Sequence, residues 1–259
     1  MKIRLPAVAG SFYPDDPEEL RKMIAVFLAS AKPKKVKKLR ALIVPHAGYV
    51  YSGPVAAYGY KLLKAGDFKK VIAIGPSHYV AFPGATEDDS DVWQTPLGNV
   101  ITGRISKFTK PGMINCFPQA HQPEHCLEVQ LPFLQLTLGE NFIFYPLLTG
   151  EVSPALLADA LQSALDKDTL LLISSDLSHY HPYEQAVKID KVANDTIPKL
   201  DFKKAPYIDA CGQTGIVTAM YIAKTLSWKG VQLDYRNSGD TAGSKDSVVG
   251  YGCYAFYEG

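Results

Sequence analysis

Three short apolar runs each close beside a histidine, and this recurrence limits the fold more than any other feature. Ala41-Leu-Ile-Val-Pro-His46 leads into Ala-Gly-Tyr-Val-Tyr51-Ser-Gly-Pro54, and Val71-Ile-Ala-Ile-Gly75-Pro76-Ser77-His78 repeats the design. Leu170-Leu-Leu-Ile-Ser174-Ser175-Asp176-Leu-Ser178-His179 ends on both a carboxylate and an imidazole. Such runs read as short buried strands of a parallel sheet. In an open parallel sheet, ligands bind in the crevice beyond the carboxyl ends of the strands. His46, His78 and His179 are therefore expected to share one site.

The rest of the chain alternates strand and helix signals. Asp16 can cap a helix that starts at Pro17, Glu19 completes an Asp-x-x-Glu box, and Leu20, Met23, Ile24, Phe27 and Leu28 follow helical spacing. The Pro- and Gly-rich stretch before it, residues 4–14, is apolar enough to pack onto the body. A helix is predicted over about residues 55–64, ending at Gly66. Residues 81–123 break the alternation: Asp88, Asp89 and Asp91 read as a solvated loop, and residues 92–102 as a β-hairpin. A helix beginning near Glu124 should be bent by Pro132. Strands are predicted at residues 142–148, 170–173, 231–236 and 248–257, with helices from Ser153, over 184–193 and over 211–227. The pattern predicts an α/β fold with a central, mostly parallel, doubly wound sheet flanked by helices. With 259 residues, 47% of them hydrophobic, and no repeat or linker, residues 1–259 read as a single domain.

Several classes are set aside. The net charge is +1, which leaves no sequence-wide attraction for nucleic acid or an anionic membrane. The basic stretch from Lys32 to Arg40 has no interleaved aromatics and reads as a solvated connection. Cys116, Cys126, Cys211 and Cys253 are widely spaced, as in a reduced protein. No secretory leader is seen, and no apolar run approaches the roughly 20 residues that span a bilayer. The expectation is a soluble cytoplasmic protein whose partners are small molecules or proteins.

The residue types then suggest a chemistry. Two imidazoles and one carboxylate on one face form the arrangement used by non-haem Fe(II), with positions left open for substrate and dioxygen. Zinc accepts similar ligands tetrahedrally. His46 and His78 are the candidate pair, and spacing does not choose among Asp176, Asp240, Glu124 and Glu128 for the carboxylate. His179 is a candidate general acid or base, with Asp176 three residues earlier to orient it, and His125 is a further candidate for proton transfer. No Gly-x-Ser-x-Gly elbow accompanies Ser77-His78 or Ser174-Ser175-Asp176, which argues against a serine hydrolase.

Six blocks carry a family resemblance: Pro6-Ala-Val-Ala-Gly-Ser-Phe-Tyr-Pro14, Pro45-His-Ala-Gly-Tyr-Val-Tyr-Ser-Gly53, Gly75-Pro-Ser-His78, Glu124-His-Cys-Leu-Glu-Val-Gln-Leu-Pro132, Ser174-Ser-Asp-Leu-Ser-His179 and Ser238-Gly-Asp240. In this order the chain resembles the Memo family, whose prokaryotic members are grouped as protein B of the AmmeMemoRadiSam system. The resemblance implies a fold like the class III extradiol dioxygenases, which use Fe(II) to open catechol rings. It implies metal-site roles for His46 and His78 and an acid/base role for His179. Where the dioxygenases supply a glutamate and mammalian Memo a cysteine, this chain has Asp240-Thr241, so Asp240 is the expected third ligand. Phe12, Tyr13, Tyr51, Glu128 and Thr241 would line the pocket. Fe(II) is the implied cofactor, with Zn or Cu as alternatives. The occupant would be a small molecule or, as in mammalian Memo, a phosphotyrosine peptide, and a radical SAM protein is an implied partner. Three readings follow: an Fe(II)-dependent redox enzyme on an aromatic substrate, a non-catalytic binding or signalling module, and a metal-dependent hydrolase.

Overall fold

A computed structural model describes residues 1–109 and 112–259. In chain order its strands are β1 (Ile3–Arg4), β2 (Leu39–Val44), β3 (Lys70–Pro76), β4 (Ala85–Glu87), β5 (Val92–Thr95), β6 (Gly98–Ile101), β7 (Ile114–Cys116), β8 (Ile143–Thr149), β9 (Thr169–Ser174), β10 (His179–His181), β11 (Trp228–Asn237) and β12 (Val248–Glu258). The helices are α1 (Pro17–Ser30), α2 (Tyr49–Tyr60), α3 (Pro118–His121), α4 (Leu131–Leu138), α5 (Pro154–Leu161), α6 (Tyr183–Thr196), α7 (Gln213–Thr225) and α8 (Ser238–Thr241).

The large sheet runs β10-β12-β2-β9-β3-β8-β4-β7, with β11 also pairing β12. Its centre is parallel: β2 pairs β9, β9 pairs β3, and β3 pairs β8 in that sense. Antiparallel ladders join β12 to β2 and β4 to β8, so the parallel expectation holds for the middle of the sheet and gives way at both flanks. A small second sheet, β1-β5-β6, contains the expected hairpin.

Period-2 alternation divides each central strand between two cores. Leu42, Val44, Val71, Ala73, Leu170 and Leu172 face the layer of α1, α2 and α4, whose Leu20, Ile24, Val55, Tyr60 and Phe133 share that core. Ala41, Ile43, Ile72, Ile74, Leu171 and Ile173 face α5, α6 and α7, with Leu157, Ala193 and Ile216. Strands covered on both faces have no polar side to present, which is why their sequences are apolar without interruption.

Several local expectations needed correction. Helix α2 starts at Tyr49, well before Pro54, rather than after it. The carbonyl that Pro54 deprives of its helical donor belongs to Val50, whose side chain is exposed, so the helix tolerates the loss. Pro132 bends nothing: it stands in the first turn of α4, where its missing N–H has no role. Asp88 is not solvated. It is buried and accepts a 2.6 Å hydrogen bond from Trp93 Nε1. No helix among the described residues is long and apolar enough to cross a membrane.

The N-terminal segment packs as expected, through a buried ion pair. Arg4 lies over the Trp93 ring at 4.1 Å and donates to Glu128 Oε2 at 2.7 Å. Glu128 also accepts from the N–H groups of Ala7 and Val8 and from the Tyr13 hydroxyl. A carboxylate saturated in this way is an internal anchor, and removing one partner would leave an uncompensated buried charge.

Candidate metal centre

The carboxyl ends of the central strands set the site. His46 stands two residues beyond β2 and His78 two beyond β3, while Ser174 ends β9. The backbone ties these ends together, since Ser175 N donates to Val44 O and His46 N donates to Asp176 Oδ1 at 2.7 Å. A fourth piece, the loop 124–126, is pressed onto the end of β3. A Cβ at Gly75 would lie 2.5 Å from Cys126 Sγ, so only glycine permits that approach.

This loop brings in His125. Its ring centroid is 4.8 Å from that of His78 and 5.5 Å from that of His46, and His46 and His78 are 5.2 Å apart. One ring nitrogen from each of the three lies within 4.8 Å of the other two. The expectation that Asp240 completes the set is not met. Asp240 accepts from Tyr183 Oη at 2.7 Å and from Asn237 N at 3.0 Å, closing a capping box on α8. A carboxylate engaged at a helix start is held there by the donors it satisfies.

Hydrogen bonding behind the rings decides which nitrogens face one another. Ser174 Oγ has one hydrogen, which goes to the carbonyl of Cys126 at 2.6 Å, and it accepts from Gln130 Nε2 at 2.7 Å. Gln130 cannot be reversed, because the same nitrogen donates to Pro45 O and its oxygen accepts from Tyr60 Oη. The 2.9 Å contact between Ser174 Oγ and His46 Nδ1 must therefore be an imidazole N–H donating to oxygen. His46 is left with a lone pair on Nε2.

Glu124 performs the same service for His78. Its Oε1 accepts from His78 Nδ1 at 2.9 Å and its Oε2 from His78 N at 2.6 Å. The amides of His125 and Cys126 donate to Oε1 as well. Burial works to raise this carboxyl's pKa, but the hydrogen bonds from His78 outweigh it and hold it at about 2. Carboxylate-to-histidine pairs of this kind orient metal-binding imidazoles and make them more basic.

Burial dominates the electrostatics of the rings themselves. It lowers His46 to about 3, aided by His78, and lowers His125 to about 4, aided by His46. Both are neutral at pH 7, the state a metal requires. His125 Nδ1 is buried without a hydrogen bond and lies 3.3 Å from Glu124 Oε1, so the carboxylate that holds His78 also stands behind this ring. The donor set thus fits a metal ion: three imidazoles meet, and the Nδ1 atoms of His46 and His78 are engaged behind the rings, which leaves their Nε2 atoms for an ion.

Around the trio, Phe12 stacks at a tilt against His125, 4.7 Å between centroids, and Tyr79 approaches the same ring edge-on at 6.1 Å. Asp176 is buried, which raises its pKa against the pull of the His46 N–H. His179 starts β10, three residues beyond Asp176. Cys211, just before α7, places Sγ 3.3 Å from His46 Nε2. Burial pushes that thiol up to about 12.

Of the expected pocket residues, Phe12 is beside the rings, and Tyr51 on α2 is partly exposed. Tyr13 and Glu128 bond to each other in the anchor described above, and Thr241 Oγ1 donates back to Ser238 O at 3.3 Å. Sequence reasoning missed Ser174, Gln130 and Cys211, and it cast Glu124 only as a ligand. The repeated strand-end pattern does not include them.

A parallel-centred α/β sheet at whose strand ends three imidazoles meet, that of His46 buried, that of His125 half-buried and that of His78 open to solvent, all backed by a buried carboxylate, defines a protein with a candidate metal centre. Residues 4–255 match the family model described as Memo-like protein. A MEMO1 family protein of Sulfolobus acidocaldarius is 40% identical over 278 residues, covering 96% of this chain and 97% of the relative. One from Aquifex aeolicus is 40% identical over 264 residues, with 97% and 98% covered. A third, from Ignicoccus hospitalis, is 36% identical, with 99% of each chain covered. The chain belongs to the Memo family.

Proposed function

We propose that this protein is a metal-dependent enzyme in which His46, His78 and His125 hold one divalent ion and His179, oriented by Asp176, moves a proton on a bound aromatic small molecule. Fe(II) is the metal of this reading, in a fold akin to the class III extradiol dioxygenases. The observation that carries it is the convergence of three imidazoles, two of which have Nδ1 engaged by Ser174 and Glu124. A bound ion would supply Lewis acidity and, if iron, a route for electrons to dioxygen.

The chain's own groups then have separate duties. Ser174 and Glu124 fix the rings of His46 and His78, so the ligands need no reorganisation. Phe12 and Tyr79 offer apolar surface to an aromatic ring and exclude water. His179, half-buried and three residues from Asp176 in sequence, would take a phenolic proton and return it. A cytoplasmic setting and a radical SAM partner, implied by the family, belong to the same reading.

One observation favours a second reading. Three imidazoles without a carboxylate form the ligand set of catalytic zinc sites, which leave the fourth position to water. That would make the protein a metal-dependent hydrolase. Metal analysis of protein purified without oxygen separates the two. Stoichiometric iron, lost in His46→Ala and His125→Ala, with oxygen uptake on catechols, upholds the first. Zinc lost from the same variants upholds the second, and copper would exclude both. Metal-free protein that still binds an aromatic phosphate or phosphotyrosine peptide would point to a non-catalytic binding module.

A further inference from the structure

We propose that the opposite rim of the sheet, at the amino ends of the central strands, docks an acidic polypeptide segment of a partner protein. The topology assembles this surface from segments that are far apart in sequence. Lys34, Lys35 and Lys37 precede β2, Lys64 follows α2, Lys69 precedes β3, and Lys167 precedes β9. Because β2, β3 and β9 are parallel, their starting ends lie at one rim. All six lysines are exposed.

The local acids do not neutralise them. Glu258 is engaged by Lys38 and Arg40, and Asp166 by Lys70 at 2.5 Å. Asp67 accepts the Lys64 amide. Among the described residues none of the six lysines is in an ion pair, and Glu140 and Asp168 are the other acids beside these strand starts. The whole chain is nearly neutral, at +1, so the excess is a property of this rim. Taken alone, the Lys32 to Arg40 stretch reads as a solvated connection, and only the parallel pairing of β2, β3 and β9 joins it to the other lysines.

Two grooves cross the rim and share Arg40 and Lys167. One, of about 390 Å³, is lined by Val36, Leu39, Lys64, Asp67 and Phe68 among others, and the second, of about 260 Å³, reaches Leu226 and Trp228 beside Asp166 and Glu258, which are already engaged by Lys70 and by Lys38 and Arg40. Cations above a partly apolar floor suit an extended chain carrying several carboxylates and an occasional aliphatic side chain. Single-stranded nucleic acid would need exposed rings for stacking, but Phe68 and Trp228 are 6% and 7% exposed.

The test is fluorescence anisotropy on the full chain with a labelled Asp/Glu-rich peptide containing one leucine. Binding should weaken steeply as salt rises from about 0.05 M to about 0.3 M. The variant Lys34→Glu, Lys35→Glu, Lys64→Glu, Lys167→Glu should bind at least about tenfold more weakly. Its far-UV spectrum, melting temperature and metal content should be unchanged. The corresponding Lys→Gln set guards against charge-reversal artefacts and should fall between the two. Equal binding by wild type and variant overturns the proposal. So does tighter, lysine-dependent binding of a uridine oligonucleotide or of phosphatidylserine vesicles, which would assign the rim to another partner class.

Discussion

The two rims of the same sheet use charge in opposite ways. At the carboxyl rim, His46, Glu124 and Asp176 are buried and His125 is half-buried, and desolvation and hydrogen bonds keep His46 and His125 neutral while Glu124 stays ionised. At the amino rim, the lysines are exposed to water and carry no core. Desolvation is the difference. A buried group has its protonation state chosen by its neighbours, whereas exposed charges act only at long range and are screened by salt. Substitutions at the first rim should therefore change folding and ligand chemistry together, and substitutions at the second should change association alone.

The strongest way to break this comparison is His125→Ala. It removes one of three donors and should abolish stoichiometric metal binding, measured by plasma emission spectrometry after dialysis, while the Lys variant described above retains its metal. If the Ala variant keeps one bound ion per chain, the trio is not the ligand set.

Acid should separate the rims next. His46 and His125 have folded pKa values of about 3 and 4, below the ordinary 6.5. Between those values the unfolded chain binds protons that the folded chain refuses, so stability falls as pH drops through 6.5 and continues falling to about 4. Going from pH 7 to pH 5 should cost on the order of 2 kcal/mol for each of these histidines in metal-free protein. His121, buried beside Trp93 and likewise held low, adds to the slope. Urea unfolding at the two pH values checks this, and His46→Gln should flatten the slope by one histidine's share. A slope unchanged in that variant would mean that His46 is not the buried neutral group described here.

Glu124→Gln sharpens the same contrast with a smaller effect. The amide keeps the volume, yet it cannot accept from His78 Nδ1 and from three backbone amides as a carboxylate does. Metal affinity should fall about 10–100-fold, the usual consequence of removing a carboxylate behind a ligating histidine. Competition titration with a chromophoric chelator measures it. An affinity within twofold of wild type would show that His78 is oriented by something else.

Much of this architecture was legible in the residues. The apolar runs fixed the central strands, because a strand covered on both faces leaves a continuous apolar signature. His46 and His78 were found by the same signal, since each directly follows such a run. His125 was harder. It follows no strand, and it reaches the site only because Gly75 lets the loop 124–126 sit against β3, a contact between residues roughly fifty apart. The Ser174 and Gln130 relay was invisible for the same reason. The antiparallel flanks escaped as well, because hydrophobic pattern reports burial and not strand direction.

The smallest effect concerns the residue that the sequence put in the site and the structure put elsewhere. Asp240 caps α8, accepting from Asn237 N and Tyr183 Oη, and its surroundings are partly exposed. Loss of an N-terminal capping carboxylate costs roughly 1 kcal/mol. Asp240→Ala should therefore lower the melting temperature by a few degrees and leave metal stoichiometry and affinity as in wild type. A ligand would behave in the reverse manner, with a large loss of metal and little change in the metal-free protein. Because α8 packs against α2 and β12, a cap defect there should be felt as local opening. Hydrogen exchange at the amides of Gly239 to Thr241 should quicken in this variant while the amides of His125 and Cys126 stay protected.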